Sequence, residues 1–112
     1  MSSKKEFIKT LDEFGRERIR IKLSIDKGKL IDLFFQYESL ISGKWKEIVR
    51  YDIAHGFFHR DFIYPSGKKK KTRIQISELR TAATFAEQDI RDKWDFYKAK
   101  YLKELKKKNN DK

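Results

Sequence analysis

The chain has 112 residues, which is the size of one domain and leaves no room for a second hydrophobic core. It contains no cysteine, which excludes disulfides, thiolate nucleophiles and cysteine-ligated zinc or iron–sulfur sites. The 28 Lys and Arg residues outnumber the 17 Asp and Glu residues, so the formal net charge is +11, and such an excess attracts phosphate groups. A heat-adapted surface would explain many charges but not their imbalance, because ion-pair networks need both signs.

The apolar residues predict a folded domain, and their distribution along the chain predicts a cytoplasmic location. Nine Phe, five Tyr and two Trp bury a large area per residue, so a core can form although 40% of the residues are charged. The sequence shows neither a signal-peptide pattern nor an apolar run long enough to cross a bilayer. We therefore expect a cytoplasmic protein without membrane association.

The first predicted element is a short amphipathic helix over residues 4–14, followed by a strand. Phe7, Ile8, Leu11 and Phe14 recur at helical spacing, and Gly15 is a natural stop. Strict alternation over residues 16–25 then predicts a strand with an apolar core face. Its other face carries four cations: Arg16, Arg18, Arg20 and Lys22.

Two hairpins follow, with turns at residues 26–29 and at Ser42–Gly43. In the first, apolar pairing places Leu23 opposite Leu33, Ile25 opposite Ile31 and Arg18 opposite Glu38. A two-residue turn would instead place Leu23 opposite Asp32, and we expect core burial to prevail. In the second hairpin the same rule pairs Ile41 with Trp45 and Tyr37 with Val49.

The remaining elements complete an α+β fold. Extended segments at residues 57–64 and 72–76 predict an antiparallel meander of four to five strands. Ser77 is expected to cap a long helix that packs on one sheet face, with Trp94 in the middle of its apolar stripe as anchor. Residues 77–105 would span about 43 Å as a helix against about 25 Å for a strand, so the helix end must overhang, fray, bend or meet a partner. We expect one basic domain over residues 1–105 and a mobile lysine-rich tail over residues 106–112.

Two groups of cations, together with the basic end of the long helix, predict a nucleic-acid surface. The alternation of Arg16, Arg18, Arg20 and Lys22 can follow a phosphodiester backbone. The second group places five positive charges in six residues: Lys68, Lys69, Lys70, Lys71 and Arg73. The alternative for the first group is an ordinary solvated face that Glu38 partly neutralises, and for the second an edge strand guarded by lysines against aggregation.

The aromatic residues divide by strand parity into core and stacking candidates. The strand positions predicted to face the core are occupied by Phe35, Tyr37, Tyr51 and Trp45. The opposite parity carries Phe34, Phe58 and Phe62, which are the candidates for stacking on bases unless a helix covers that face.

Both histidines of the chain, His55 and His59, lie in one short segment. With Arg50 they have the side chains of a metal-independent ribonuclease, which needs a general base and a general acid at an RNA 2'-hydroxyl and 5'-oxygen. In an unbroken strand the two histidines would be roughly 13 Å apart, too far for one metal, although a turn at Gly56 would bring them together. The structural alternative is that the His and Asp residues of this segment hydrogen-bond each other and fix a tight turn. We expect no metal and no cofactor.

The run Arg50-Tyr51-Asp52, followed by Ala54-His55, His59 and Pro65, resembles the pattern of TumE-type proteins, small prokaryotic chains associated with toxin–antitoxin pairs. The resemblance covers about residues 30–75. It implies a small prokaryotic protein, a toxin–antitoxin component that acts on RNA.

Three functions follow from these features. The leading one is a basic protein that binds nucleic acid, RNA in preference to DNA. The second is a ribonuclease toxin that uses His55 and His59. The third is an interaction subunit whose long helix docks on a partner protein or on a second copy of the chain.

Overall fold

The computed structural model describes residues 2–110 and shows six strands followed by one helix. The strands are β1 (Ser2–Thr10), β2 (Glu17–Asp26), β3 (Lys29–Ile41), β4 (Lys44–Asp52), β5 (His59–Ile63) and β6 (Lys69–Arg73), and the helix is α1 (Leu79–Asn110). The strands form one antiparallel sheet in chain order. The predicted α+β meander with a long C-terminal helix is confirmed, but the sheet has six strands, not four to five.

The predicted N-terminal helix is wrong, because these residues form the edge strand β1. Phe7 pairs with Ile21 and Lys9 with Ile19, so the ladder uses backbone groups that β2 would otherwise expose at its edge. Phe14 is 76% exposed, and the four apolar residues that suggested a helix therefore share no buried face. The chain turns into β2 at Asp12, whose Oδ1 accepts hydrogen bonds from the backbone N–H groups of Arg16 and Glu17.

The first hairpin combines the two pairings that the sequence presents as alternatives. Leu23 pairs with Leu33 as predicted, yet the turn has two residues, Lys27 and Gly28, both with positive φ. A bulge at Ser24/Ile25 absorbs the difference. Ile25 consequently pairs with Leu30, which corrects the predicted pairing with Ile31.

The second hairpin uses the same solution, with a two-residue turn at Ser42–Gly43 and a bulge at Tyr37/Glu38. Tyr37 pairs with Val49 as predicted, but Ile41 pairs with Lys44 and Trp45 with Leu40. The bulge leaves Ile48 without a cross-strand partner and buries it completely. It also shifts Trp45 to the other face of the sheet, so the prediction of a core Trp45 is wrong.

Helix α1 covers β3 and β4 on one face of the sheet, and we call the uncovered face the outer face. Ala82, Ala86 and Ile90 are fully buried against the sheet, where the small alanines allow close approach. Trp94 packs beside Tyr37 with ring centroids 6.3 Å apart, but it is only partly buried and shares the anchoring with Ile90.

The ends of α1 differ from the prediction. The cap is Glu78 and not Ser77, since the Glu78 carboxylate accepts the backbone N–H groups of Arg80 and Thr81. The helix continues through residues 106–110, beyond the predicted end at Leu105, because lysines, which are good helix formers, follow Leu105 without a Gly or Pro to end it. Residues 111 and 112 lie outside the described residues. In residues 2–110, α1 lacks the apolar length needed to cross a membrane.

Two buried carboxylates join α1 to the sheet. Asp89 accepts hydrogen bonds from the hydroxyl groups of Tyr51 (2.6 Å) and Tyr97 (2.5 Å). Burial and the bond to Asp89 raise the pKa of Tyr97 to about 12, so this tyrosine stays a donor at neutral pH. At the other joint, Glu17 accepts from the Tyr37 hydroxyl (2.6 Å) and pairs with Lys98 Nζ (2.6 Å).

Candidate functional site

The arginines of the outer face are paired with carboxylates. Arg18 Nε lies 2.7 Å from Glu38 Oε1 and Arg20 Nε lies 3.2 Å from Glu38 Oε2. Arg20 also pairs with Glu6 of β1. Burial opposes the charge of Glu38, but hydrogen bonds from Gln36, Arg18 and Arg20 outweigh it and hold the Glu38 pKa below its ordinary value.

The four cations predicted around β2 therefore do not form one free row. Arg16 is exposed but precedes β2, and Lys22 lies over the Phe34 ring (4.9 Å). The geometry favours the alternative reading of this face as a solvated surface with its own ion-pair network.

The lysine run divides between the two faces of the sheet. Lys71 pairs with Asp61 (3.1 Å) on the outer face. Lys70 faces the helix side, where it pairs in register with Phe62. Lys68, Lys69 and Lys70 are exposed, and in residues 2–110 no carboxylate lies within ion-pair distance of them.

The end of α1 brings further lysines to this place. Lys100 Nζ lies 4.3 Å from the centre of the Phe62 ring, and Lys108 Nζ approaches the carbonyl of Pro65 (3.5 Å). Neither lysine has a carboxylate partner within the described part of the chain. We call the set Lys68, Lys70, Lys100 and Lys108 the lysine surface.

Lys100 and Lys108 belong to no sequence motif. The sequence predicted that the basic end of the helix contributes to the nucleic-acid surface, but which of its lysines approach the β5–β6 hairpin depends on where the long helix crosses the sheet.

Three of the aromatic residues lie in surroundings that differ from the predicted ones. Trp45 is 36% exposed and stacks on Arg18, whose guanidinium carbon lies 3.6 Å from the centre of the Trp45 ring. Phe34 lies on the outer face as predicted, between Lys22 and Arg50. Phe58 and Phe62 are buried under α1 and Lys100, so they are not stacking platforms.

His55 and His59 converge, but Arg50 does not join them. The turn at Gly56 (φ 82°) brings the two imidazole ring centroids to 5.7 Å. Arg50 bonds Gln36 (2.8 Å) and Glu47 (3.1 Å) on the outer face. The predicted trio His55, His59 and Arg50 is therefore reduced to a pair.

The two histidines lie in different environments. His59 is 1% exposed, with Nδ1 3.1 Å from the Phe57 carbonyl and Nε2 2.9 Å from Asp52 Oδ1. His55 is exposed. Both nitrogens of His59 are thus engaged, which leaves His55 as the histidine that a substrate can reach.

The residues that suggested the toxin–antitoxin pattern make structural contacts. Tyr51 is fully buried and donates to Asp89, while Asp52 contacts His59. Asp52 and Asp61 complete the histidine cluster, and the sequence predicted hydrogen bonds among these His and Asp residues but no ligand or catalytic role for either aspartate. A signal for Asp61 is its two-residue spacing from His59 in a strand, which puts both side chains on one face.

Residues 1–107 match the family described as a domain of unknown function, DUF7718. The chain belongs to this family. Comparison with curated proteins and with solved structures gives no match. The family description names no activity, and the lysine surface and the histidine cluster are the features of this chain that bear on its function.

Proposed function

We propose that this DUF7718 protein binds nucleic acid, RNA in preference to DNA, through the lysine surface. The observation that carries the proposal is that four lysines on the β5–β6 hairpin and on the C-terminal part of α1 that packs beside it have no carboxylate partners among residues 2–110: Lys68, Lys70, Lys100 and Lys108. Cations without intramolecular partners are free to replace the counterions of a phosphate backbone. The preference for RNA rests on the resemblance to TumE-type proteins.

The outer face is a weaker candidate for the same role. Glu38 alone engages two of its arginines, and a phosphate would have to displace that buried carboxylate. Arg16 and Lys22 remain available at its margin, and we assign them a supporting role in steering the polyanion.

Replacing Lys68, Lys70, Lys100 and Lys108 by Gln should weaken binding of a labelled single-stranded RNA by at least about tenfold near 0.1 M salt. The unmodified protein should lose about a hundredfold in affinity between about 0.05 and 0.3 M salt, because four neutralised phosphates give a log–log slope near −3. The variant should show a much shallower slope. Fluorescence anisotropy across the salt series measures both quantities.

The matched control replaces Lys4, Lys5, Lys27 and Lys29 by Gln. These residues are exposed at the opposite end of the sheet, and the control lowers the net charge by the same four units. It should change RNA affinity by less than about threefold. Equal losses in both variants would mean that net charge, and not the lysine surface, determines binding.

A ribonuclease is the second candidate, favoured by the close approach of His55 and His59. Burial and the two hydrogen-bonding partners of His59 argue against its exchanging protons with a substrate. We therefore expect His55→Ala to leave RNA binding unchanged and any trace of RNA cleavage undiminished. A gel assay with purified protein would contradict this if cleavage at a defined position fell by about 10²- to 10⁴-fold, the usual contribution of a positioned acid or base.

The third alternative, docking through α1, has less support from the helix surface. Its two most exposed large apolar residues, Phe96 and Leu102, are six positions apart. At about 100° per residue they point about 120° away from each other, so they do not form one apolar stripe.

A further inference from the structure

We propose that Asp52, His59 and Asp61 form a binding site for a divalent transition-metal ion of the zinc class. Asp52 and His59 are cross-strand partners on β4 and β5, and Asp61 lies two residues beyond His59 on the same face. His59 Nε2 is 2.9 Å from Asp52 Oδ1 and 3.5 Å from Asp61 Oδ2. One ligand atom from each of the three residues lies within 4.8 Å of the others.

The orientation of His59 supports a metal ligand. Its Nδ1 faces the Phe57 carbonyl at 3.1 Å, so Nδ1 carries a proton and donates it. In the neutral ring the lone pair is then on Nε2, which points at the two carboxylates. A backbone carbonyl that holds the distal nitrogen is the usual arrangement around metal-bound histidine. Either a metal ion or a second proton on the ring must occupy the position between Nε2 and the carboxylates.

The donor set indicates the class of ion. One imidazole nitrogen and two carboxylate oxygens suit Zn²⁺, and also Mn²⁺ and Fe²⁺, better than Ca²⁺ or a thiolate-seeking ion. Zinc bonds of about 2.1 Å at tetrahedral angles separate ligand atoms by about 3.4 Å, and the two distances from Nε2 bracket that value. The two distances from Nε2 therefore need to change by only about half an ångström or less to fit zinc, and the ligand atoms of all three residues lie within 4.8 Å of one another.

Neighbouring groups hold the carboxylates in place. Lys71 Nζ binds Asp61 Oδ1 (3.1 Å), which leaves Oδ2 directed at His59. The Ala54 N–H donates to Asp52 Oδ1 (3.1 Å), an oxygen with a second lone pair for the ion. Contacts of this kind orient metal ligands and contribute to affinity.

The site opens on one side. The side chains of His59 and Asp61 are 1% and 5% exposed, whereas that of Asp52 is 16% exposed and lies near the turn that carries His55. Three protein ligands with an accessible fourth position are typical of zinc sites that bind water or a substrate atom. The prediction of no metal was made with His55 and His59 as the only candidate ligands. In the structure, Asp52 and Asp61 lie beside His59 and could act as ligands in place of His55.

The test is titration of the full chain, freed of any histidine tag and treated with EDTA, with ZnCl₂ in a calorimeter. We expect one Zn²⁺ per chain and a rise in melting temperature on binding. Asp52→Asn should weaken zinc binding by at least about tenfold, because it removes one charged ligand at a half-buried position that tolerates an amide. The control Glu47→Gln changes an exposed acid of the same strand and face and should bind like the unmodified protein.

Co²⁺ gives a second readout that does not require a buried ligand to be changed. The Co²⁺ complex should show the intense visible absorption of a four- or five-coordinate ion, and Asp52→Asn should lose it. The proposal is overturned if zinc and cobalt do not bind stoichiometrically at about 0.1 mM, or if Asp52→Asn binds as well as the unmodified protein. It is equally overturned if His55→Ala abolishes binding while Asp52→Asn retains it, since the ion would then sit on the exposed histidine.

Discussion

Asp89→Ala is expected to lower the free energy of unfolding by about 3 to 5 kcal/mol, the usual effect of breaking a buried charged network from one side. Asp89 is 8% exposed and accepts short hydrogen bonds from the Tyr51 and Tyr97 hydroxyl groups. Arg60 lies against both hydroxyls, at 3.5 and 3.4 Å. Removal of the carboxylate would leave the two hydroxyl groups without their acceptor and the Arg60 guanidinium without a negative charge that interacts with it.

Urea unfolding monitored by circular dichroism measures this loss. Tyr97→Phe removes one donor and leaves Asp89 with Tyr51 and Lys93 as partners, so it should cost about 1 to 2 kcal/mol. Asp95→Ala, which changes an exposed acid of the same helix, should stay within about 0.5 kcal/mol. If Asp89→Ala were as mild as Asp95→Ala, the helix would be held by apolar burial alone.

Glu38→Gln should lower the free energy of unfolding by about 2 to 4 kcal/mol at pH 7, because an amide cannot balance two guanidinium groups. Glu38 is 4% exposed and binds Arg18, Arg20 and Gln36. Glu47→Gln is the matched control: the Glu47 side chain also pairs with an arginine of the outer face but is 52% exposed. That control should cost less than about 1 kcal/mol.

The pH dependence of the same pair of proteins follows from the lowered pKa of Glu38. A carboxylate with a depressed folded-state pKa stabilises the fold above its ordinary value of 4.5 and loses that contribution as pH falls through the folded-state pKa. The stability difference between the unmodified protein and Glu38→Gln should therefore shrink in acid. A constant difference between about pH 7 and pH 3 would show that the lost contribution is packing and not charge.

The pairing of β2 with β3 shows how much of the fold the sequence determines. Leu23 opposite Leu33 and Arg18 opposite Glu38 follow from alternation, because adjacent side chains in a strand point to opposite faces. The long helix is equally local in origin, since its apolar positions recur at three- and four-residue steps. Neither feature needs knowledge of the rest of the molecule.

The bulges could not be predicted from alternation alone. Turn chemistry favoured two-residue turns and core burial favoured a register one residue away, and a bulge satisfies both at the cost of one unpaired residue. Trp45 shows the consequence, because a shift of one residue moved it from the predicted core to the Arg18 side of the sheet. Similarly, residues 2–10 became a strand because β2 offered an open edge, which is a property of the sheet and not of that segment.

The candidate sites divide in the same way. The sequence by itself determined that the chain is strongly basic and that Lys68 to Lys71 and the two histidines stand out, because charge and residue type are local properties. Only the tertiary structure decided which charges are neutralised, since Glu38 and its arginines come from different strands. It also decided that Lys100 and Lys108 reach the β5–β6 turn and that Asp52 and Asp61 surround His59. These groupings depend on strand register and helix placement, which bring residues distant in sequence within bonding distance.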